Sequence, residues 1–215
     1  MHDISGWTEF LDSQCFNLFD RSLILRELVA QIRRVANPPS KVIEVGCGSG
    51  LTSVLLASMG YRVTAVDANA QLVEKVKRLE ITFPNLISVQ ADMFRMGFKD
   101  KTFDVAFSQG VLEHYRDDDI IRALLEQRRI ARIVVIDVSN GRGKTGDYGD
   151  ERSISPLQWR KLIQTSGLAI VNESARGMAR WSERQPKLLG WLEDLWLSRR
   201  FGENSIFVCK EANNV

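Results

Sequence analysis

An α/β domain with a largely parallel, doubly wound sheet and helices on both faces is the fold class this sequence predicts. Two observations predict it. Short β-rich runs alternate with helical runs from residue 41 to residue 138, and the first of them breaks into the turn Gly46-Cys47-Gly48-Ser49-Gly50 ahead of a helix. Such alternation requires parallel pairing through right-handed crossovers, which lay helices on both faces of the sheet. At 215 residues the chain suits a single domain with additions.

Residues 1–36 read as an N-terminal helical cap. From Ser22 to Val35, the residues Leu23, Leu28, Ile32 and Val35 recur at roughly helical spacing, and Pro38-Pro39 ends the run. A strand over 41–46 follows, then a helix over 51–59 closed by Gly60, a strand over 62–67, a helix over 69–80 ahead of Pro84, strands over 86–91 and 103–108, a helix over 117–129 and a strand over 132–138. Ser155-Pro156-Leu157-Gln158 combines a capping-box serine and glutamine with proline in the first helical position, so a helix begins there and ends before Gly167. Leu168 to Val171 and Ser205 to Cys209 supply two last strands. Between them, residues 174–203 form a tryptophan-rich insertion with Trp181, Trp191 and Trp196, in which Leu188, Leu192, Leu195 and Trp196 share one helical face. Ser139 to Asp150, rich in glycine and charge, has the composition of a linker.

Charge narrows the partners. Lys and Arg number 29 against 27 Asp and Glu, for a net charge of +2, so no strong field calls for nucleic acid or a membrane surface. Cys15, Cys47 and Cys209 form no C-x-x-C pair and none lies beside a histidine at metal-ligand spacing, so they read as reduced thiols of a cytoplasmic protein without a metal site. The first residues include Asp3, Glu9 and Asp12 rather than a basic segment leading into an apolar run, and nowhere do ~18 uncharged apolar residues follow one another, so neither export nor membrane insertion is expected.

The glycine turn carries the chemistry. Gly46, Gly48 and Gly50 are spaced by two, unlike the G-x-G-x-x-G of a dinucleotide turn, which argues against a nicotinamide dehydrogenase. Glu44, just ahead of them, would repel a phosphate but suits a ligand bearing an ammonium group. A carboxylate that closes an apolar strand is costly to bury unless a ligand or donor satisfies it. The same holds for Asp67, which ends the run Tyr61 to Asp67 and follows Gly50 by 17 residues, near the ~20 of a strand-helix-strand unit.

On these residues, Glu44 to Gly50 resembles the first motif of the class I S-adenosylmethionine-dependent methyltransferases. Tyr61 to Asp67 resembles that family's second strand, Ile87 to Met93 its third, Phe103 to Tyr115 its fourth with a Leu-Glu-His ending, and Arg132 to Asp137 its fifth. The resemblance covers roughly residues 40 to 140. It implies a Rossmann-like doubly wound seven-stranded sheet in the order 3-2-1-4-5-7-6, with strand 7 antiparallel, and S-adenosyl-L-methionine as cofactor. It also implies that Glu44, Gly46, Cys47, Gly48 and Gly50 form the cofactor turn, that Asp67 with Ala68 beside it takes the ribose hydroxyls, that Asp92 contacts the adenine amino group, and that Met93 and Gln109 contribute packing or backbone contacts. The chain departs from the family at Gln127-Arg128-Arg129-Ile130-Ala131, where a Leu-Lys-Pro-Gly-Gly-like turn often precedes strand five, and it has no Asn-Pro-Pro-Tyr-like sequence after strand four.

His114 and Tyr115 are the candidate catalytic residues. His114 follows strand four, and histidine is the side-chain type suited to proton transfer near neutral pH, so it serves either as general base or as a wall of the pocket. Tyr115 either bonds the substrate or packs, and Glu113 either binds an amine or caps the helix starting near Asp117. The expected activity is methyl transfer to a small, partly apolar molecule. The alternative is a non-catalytic S-adenosylmethionine-binding regulatory or assembly protein, with the 174–203 segment as its partner surface. In the first case that segment, the 139–153 loop and the N-terminal helices form a lid with a tryptophan lining the pocket; the plainer reading packs the segment on the sheet edge or into a homodimer contact. Arg142, Lys144, Arg152, Arg176 and Arg180 either dock an anionic substrate or lie in ordinary solvated loops.

Overall fold

Strands β1 (Lys41–Val45), β2 (Arg62–Asp67), β3 (Leu86–Gln90), β4 (Phe103–Gln109), β5 (Ala131–Ser139), β6 (Leu168–Arg176) and β7 (Asn204–Glu211) form one sheet in the order β3-β2-β1-β4-β5-β7-β6. The structure is a computed structural model that describes residues 25–141, 151–176 and 203–212. β1 to β5 pair in parallel, while β7 runs antiparallel to both β5 and β6. The order and the reversed seventh strand match the expectation. Their consequence is that the carboxyl ends of β1, β2, β3 and β4 meet along one edge, where chain crossing from β1 to either side leaves a crevice.

Successive strand residues point to opposite faces, and each face is buried under its own helices. On one face, Val42, Val63, Val105, Val135 and Val208 pack with Leu28 and Ile32 of α1 (Arg26–Val35), Val54 and Leu56 of α2 (Leu51–Ser58) and Val76 of α3 (Ala70–Leu79). On the other, Ile43, Ala106, Val134, Ile136 and Phe207 pack with Ile120 and Leu124 of α4 (Asp117–Ile130) and Trp159 and Ile163 of α5 (Pro156–Thr165). Each fully buried side chain of this size contributes about 1.5–3 kcal/mol, so the paired apolar faces dominate the fold.

Local signals set the helix starts. Ser155 and Gln158 close a reciprocal capping box with Pro156 in the first turn of α5. Asn69 caps α3 by accepting from the N–H groups of Gln71 and Leu72. α4 has no side-chain cap, but Asp117, Asp118 and Asp119 place negative charge against its positive end.

The departure at Gln127–Ala131 has a structural outcome: α4 ends at Ile130 and β5 begins at Ala131 with nothing between. In place of a glycine turn, a lysine from the loop before β4 satisfies carbonyls at this junction. Lys101, held at φ 51°, donates from Nζ to the carbonyls of Arg128 and Ala131, and Arg128 reaches the Gly167 carbonyl.

β6 extends five residues past the expected Val171. The polar run Asn172 to Arg176 lacks strand-like composition, yet α1 satisfies it: Asn172 donates to Gln31 Oε1 at 2.6 Å and Gln31 Nε2 donates to Ser174 Oγ at 3.1 Å. Ser174 to Arg176 therefore belong to the strand and not to the insertion placed at 174–203. The remainder of that insertion with its three tryptophans, most of the Ser139–Asp150 loop and the helical cap before Leu25 lie outside the described residues.

Candidate functional site

A cavity of about 200 Å³ opens at the carboxyl ends of β1 to β4. Its β1–β2 wall consists of Glu44, Gly46, Cys47, Gly48, Asp67 and Ala68, and its far wall of Asp92, Met93, Gln109, Val111, His114 and Tyr115. Every expected site residue except Gly50 lines it.

The glycine turn is shaped as much by protein packing as by room for a ligand. Gly46, Gly48 and Gly50 have φ values of 76°, 52° and 74°, a region that side chains other than glycine enter at a cost. A Cβ on Gly46 would lie 2.6 Å from Val111 Cγ2, and one on Gly50 would lie 2.5 Å from Val76 Cγ2. Gly50 is the left-handed residue before α2, where its lack of a side chain serves the α2–α3 packing, and it is not among the residues lining the cavity.

The carboxylates are held in advance. Asp67 accepts from the Gly48 N–H at Oδ2 and from the Asn69 N–H at Oδ1, both at 2.9 Å. A carboxylate oxygen takes two hydrogen bonds, so each retains capacity for a ligand hydroxyl. Glu44 is buried and accepts from Ser53 Oγ at 2.5 Å, which tethers it to α2. Burial, with the nearby charges of Glu44 and Asp67, pushes the Cys47 thiol far up, so it stays protonated and unreactive. Asp92 is exposed and folds back on its own turn, accepting from the Phe94 N–H. Gln109 accepts at Oε1 from Thr52 at 3.1 Å, which directs its amide nitrogen away from α2.

Across the cavity, a single 3₁₀ turn (Leu112–His114) sets the side chains that follow β4. His114 is buried at the rim, and Tyr115 meets Phe94 edge-on at 5.7 Å, with Arg122 4.6 Å above the Phe94 ring. Glu113 neither caps α4 nor reaches the cavity. It is fully buried and accepts from the Ser139 N–H at 2.9 Å, and burial raises its carboxyl to about 7. Arg152 and Arg176 are not free loop cations either: Arg152 bonds the Tyr115 carbonyl and, at 2.7 Å, Asp117, while Arg176 pairs at 2.6 Å with the buried Asp137. Arg142, Lys144 and Arg180 lie outside the described residues. Val111 and Asn69 escaped the sequence reading. Asn69 carried a signal, an Asn at the start of a helix, whereas Val111 carried none. Among the described residues no group of three or more His, Cys, Asp or Glu side chains could hold a metal ion, and no helix is long and apolar enough to cross a membrane.

A strand-turn-helix with two preset carboxylates at the crevice of a 3-2-1-4-5-7-6 sheet defines a nucleoside-binding α/β domain of the Rossmann-like type. Residues 43–134 match a family model described as a methyltransferase domain. The chain is 40% identical over 97 residues to the ubiquinone biosynthesis O-methyltransferase of Xanthomonas campestris, a match covering 42% of this chain and 39% of that protein. It is 25% identical over 129 residues to the human eEF1A lysine and N-terminal methyltransferase, covering 59% of this chain and 18% of the relative. Its fold is similar, with a TM-score of 0.72 at 16% identity over 99% of this chain and 100% of the other, to a structure of a Haloferax volcanii methyltransferase complex with the Trm112 methyltransferase activator. The matches thus span well under half of these two relatives. The match over residues 43–134 and the sheet order are together consistent with a class I S-adenosylmethionine-dependent methyltransferase domain.

Proposed function

We propose that this protein transfers the methyl group of S-adenosyl-L-methionine to a small, partly apolar organic molecule, with Glu44, Gly46, Cys47, Gly48, Asp67, Ala68, Asp92, Met93 and Gln109 around the cofactor and His114 and Tyr115 beside the acceptor. One observation carries the reading: a single cavity has preset carboxylates on one wall and a histidine and tyrosine on the other. The residues present fit the cofactor, since Asp67 retains two acceptor positions for a diol and the buried Glu44 suits an ammonium group.

When bound, the cofactor supplies a methyl group already activated by its sulfonium charge. The work left to the chain is placement. Aligning an acceptor with the methyl carbon and excluding water lowers the barrier by several kcal/mol, towards the ~7–11 of well-oriented intramolecular reactions. An acceptor protonated at neutral pH gains a further ~10²–10⁴-fold from a base, and His114 is the side chain placed to take that proton.

A second reading has its own support. The human relative is named for lysine and N-terminal methylation, and the first turn of α4 just beyond Tyr115 carries Asp117, Asp118 and Asp119, of which Asp117 is paired with Arg152 and Asp119 with Arg122. Radiolabel transfer from S-adenosylmethionine into a metabolite extract and, separately, into a protein extract decides between the two. Label confined to small molecules supports the first reading and label confined to polypeptide the second. Tight cofactor binding with no label in either extract leaves the non-catalytic role. Calorimetric titration in which NAD binds and S-adenosylhomocysteine does not would overturn all three.

A further inference from the structure

We infer that Glu113 is a positioning residue for this pocket, a buried carboxylic acid that ties the turn carrying Val111, His114 and Tyr115 to the end of β5 and to the segment entering α5. The inference deepens the proposed function, since it concerns the acceptor-side wall of the same cavity.

The geometry is that of a two-way brace. Glu113 Oε1 accepts from the Ser139 N–H at 2.9 Å, and the Glu113 backbone carbonyl accepts from the Arg152 N–H at 3.0 Å. Arg152 in turn holds the carbonyl of Tyr115 and the carboxylate of Asp117, so the middle of the turn and the chain leaving it are clamped to one arginine. The brace continues beyond Ser139, whose carbonyl accepts from Trp159 Nε1 at 2.9 Å. Thus one carboxyl, the backbone of one residue and one indole stand in series between the cavity wall and α5.

That carboxyl is the weak member of the series. Glu113 Oε2 is buried without a hydrogen-bond partner among the described residues. The charged groups that face it do not favour its ionisation. Asp137 on β5 is fully buried, with its own oxygens bonded to Arg176 of β6 and Asn204 of β7. Glu151 adds negative charge from the segment before α5, and the guanidinium of Arg152 is committed to Asp117 and the Tyr115 carbonyl. His114, the next residue along the turn, is a further titratable neighbour. A buried carboxylate with an unmatched oxygen is costly. Burial therefore holds Glu113 neutral up to about pH 7, and loss of its proton to solvent forces the turn to admit a donor.

The Trp159 indole reports on this directly. In the intact chain labelled with ¹⁵N-tryptophan, its N–H resonance is assigned by its disappearance in Trp159→Phe and then followed from pH 5.5 to 8.5. Calorimetry with S-adenosylhomocysteine covers the same range. The expected result is a Trp159 shift with a midpoint near 7 that is absent in Glu113→Gln, accompanied by a several-fold fall in S-adenosylhomocysteine affinity in the parent protein and a flat profile in the variant. A parent Trp159 signal that does not titrate, or one that titrates equally in Glu113→Gln, overturns the role of Glu113 while leaving cofactor binding intact. A parent protein that titrates at Trp159 but binds no S-adenosylhomocysteine instead overturns the methyltransferase reading, and with it any role of Glu113 towards that pocket.

Discussion

The β1–β2 wall of the cavity and the wall after β4 hold their polar groups in different ways. Glu44 is tethered by Ser53, 9 positions away, and Asp67 by Gly48, 19 positions away, within one strand-helix-strand unit. After β4, Glu113 reaches 26 positions to Ser139 and Arg152 reaches back 37 to Tyr115. The first wall is complete once a single βαβ unit forms. The second waits for β5 and the entry to α5 to dock. A ligand shared between them therefore meets one wall set by local chain geometry and one set by tertiary brackets, and the two walls touch directly where Val111 packs on Gly46.

Substitutions that break the junction of the walls should have the largest effect. Gly46→Ala forces a Cβ against a branched valine at a left-handed φ and is expected to cost about 3 kcal/mol in denaturant unfolding, by overpacking and backbone strain together. Gly46→Ala with Val111→Ala should recover the packing part but not the strain; equal losses in the single and double variants would refute the contact. On the local wall, Asp67→Ala should weaken S-adenosylhomocysteine binding by at least about 100-fold by calorimetry, since two hydrogen bonds to a charged acceptor at ~1.5–3 kcal/mol each are at stake, and an unchanged affinity would remove the diol assignment.

On the tertiary wall, pH separates the two kinds of construction. Glu113 has a folded-state pKa of about 7 against an ordinary 4.5, so the native state holds the proton more tightly and stability is lost as pH rises between those values. Glu113→Gln should match the parent near pH 4 and exceed it by roughly 3 kcal/mol at most above pH 7.5, read as unfolding midpoints across pH. A parallel pH dependence in parent and variant would assign the loss to other groups.

Smaller effects test how far the brackets extend. Gln127 in α4 is fully buried with both amide atoms unpartnered among the described residues, so Gln127→Met should stabilise by about 1 kcal/mol, and destabilisation would reveal a hidden partner. Arg122→Ala removes the cation above Phe94, which supports Tyr115, and should cost under about 1 kcal/mol with little change in S-adenosylhomocysteine affinity.

Most strand positions and the residues that gather at the crevice were legible in the sequence because their causes are short-range, whereas the sheet order was implied by the family resemblance. Apolar runs mark the strands, Ser155 and Gln158 mark α5, and the glycines with Glu44 and Asp67 mark the turn. The polar half of β6 was not legible, because its partners Gln31 and Asn172 are 141 positions apart. Nor was the direct passage from α4 into β5, which depends on Lys101 reaching across from the preceding loop.

By itself the sequence determined which residues form the strands, apart from the polar half of β6, where the helices start and which carboxylates stand at the glycine turn, since these follow from side-chain period, caps and backbone freedom within a few residues. The tertiary structure alone decided that Gly50 yields to Val76, that Glu113 braces β5 instead of capping α4, and that Arg152 and Arg176 are bound into the scaffold. Burial and pairing are properties of the packed chain: a carboxyl or guanidinium acquires its partner, and its protonation state, only from groups that folding brings in from far along the sequence.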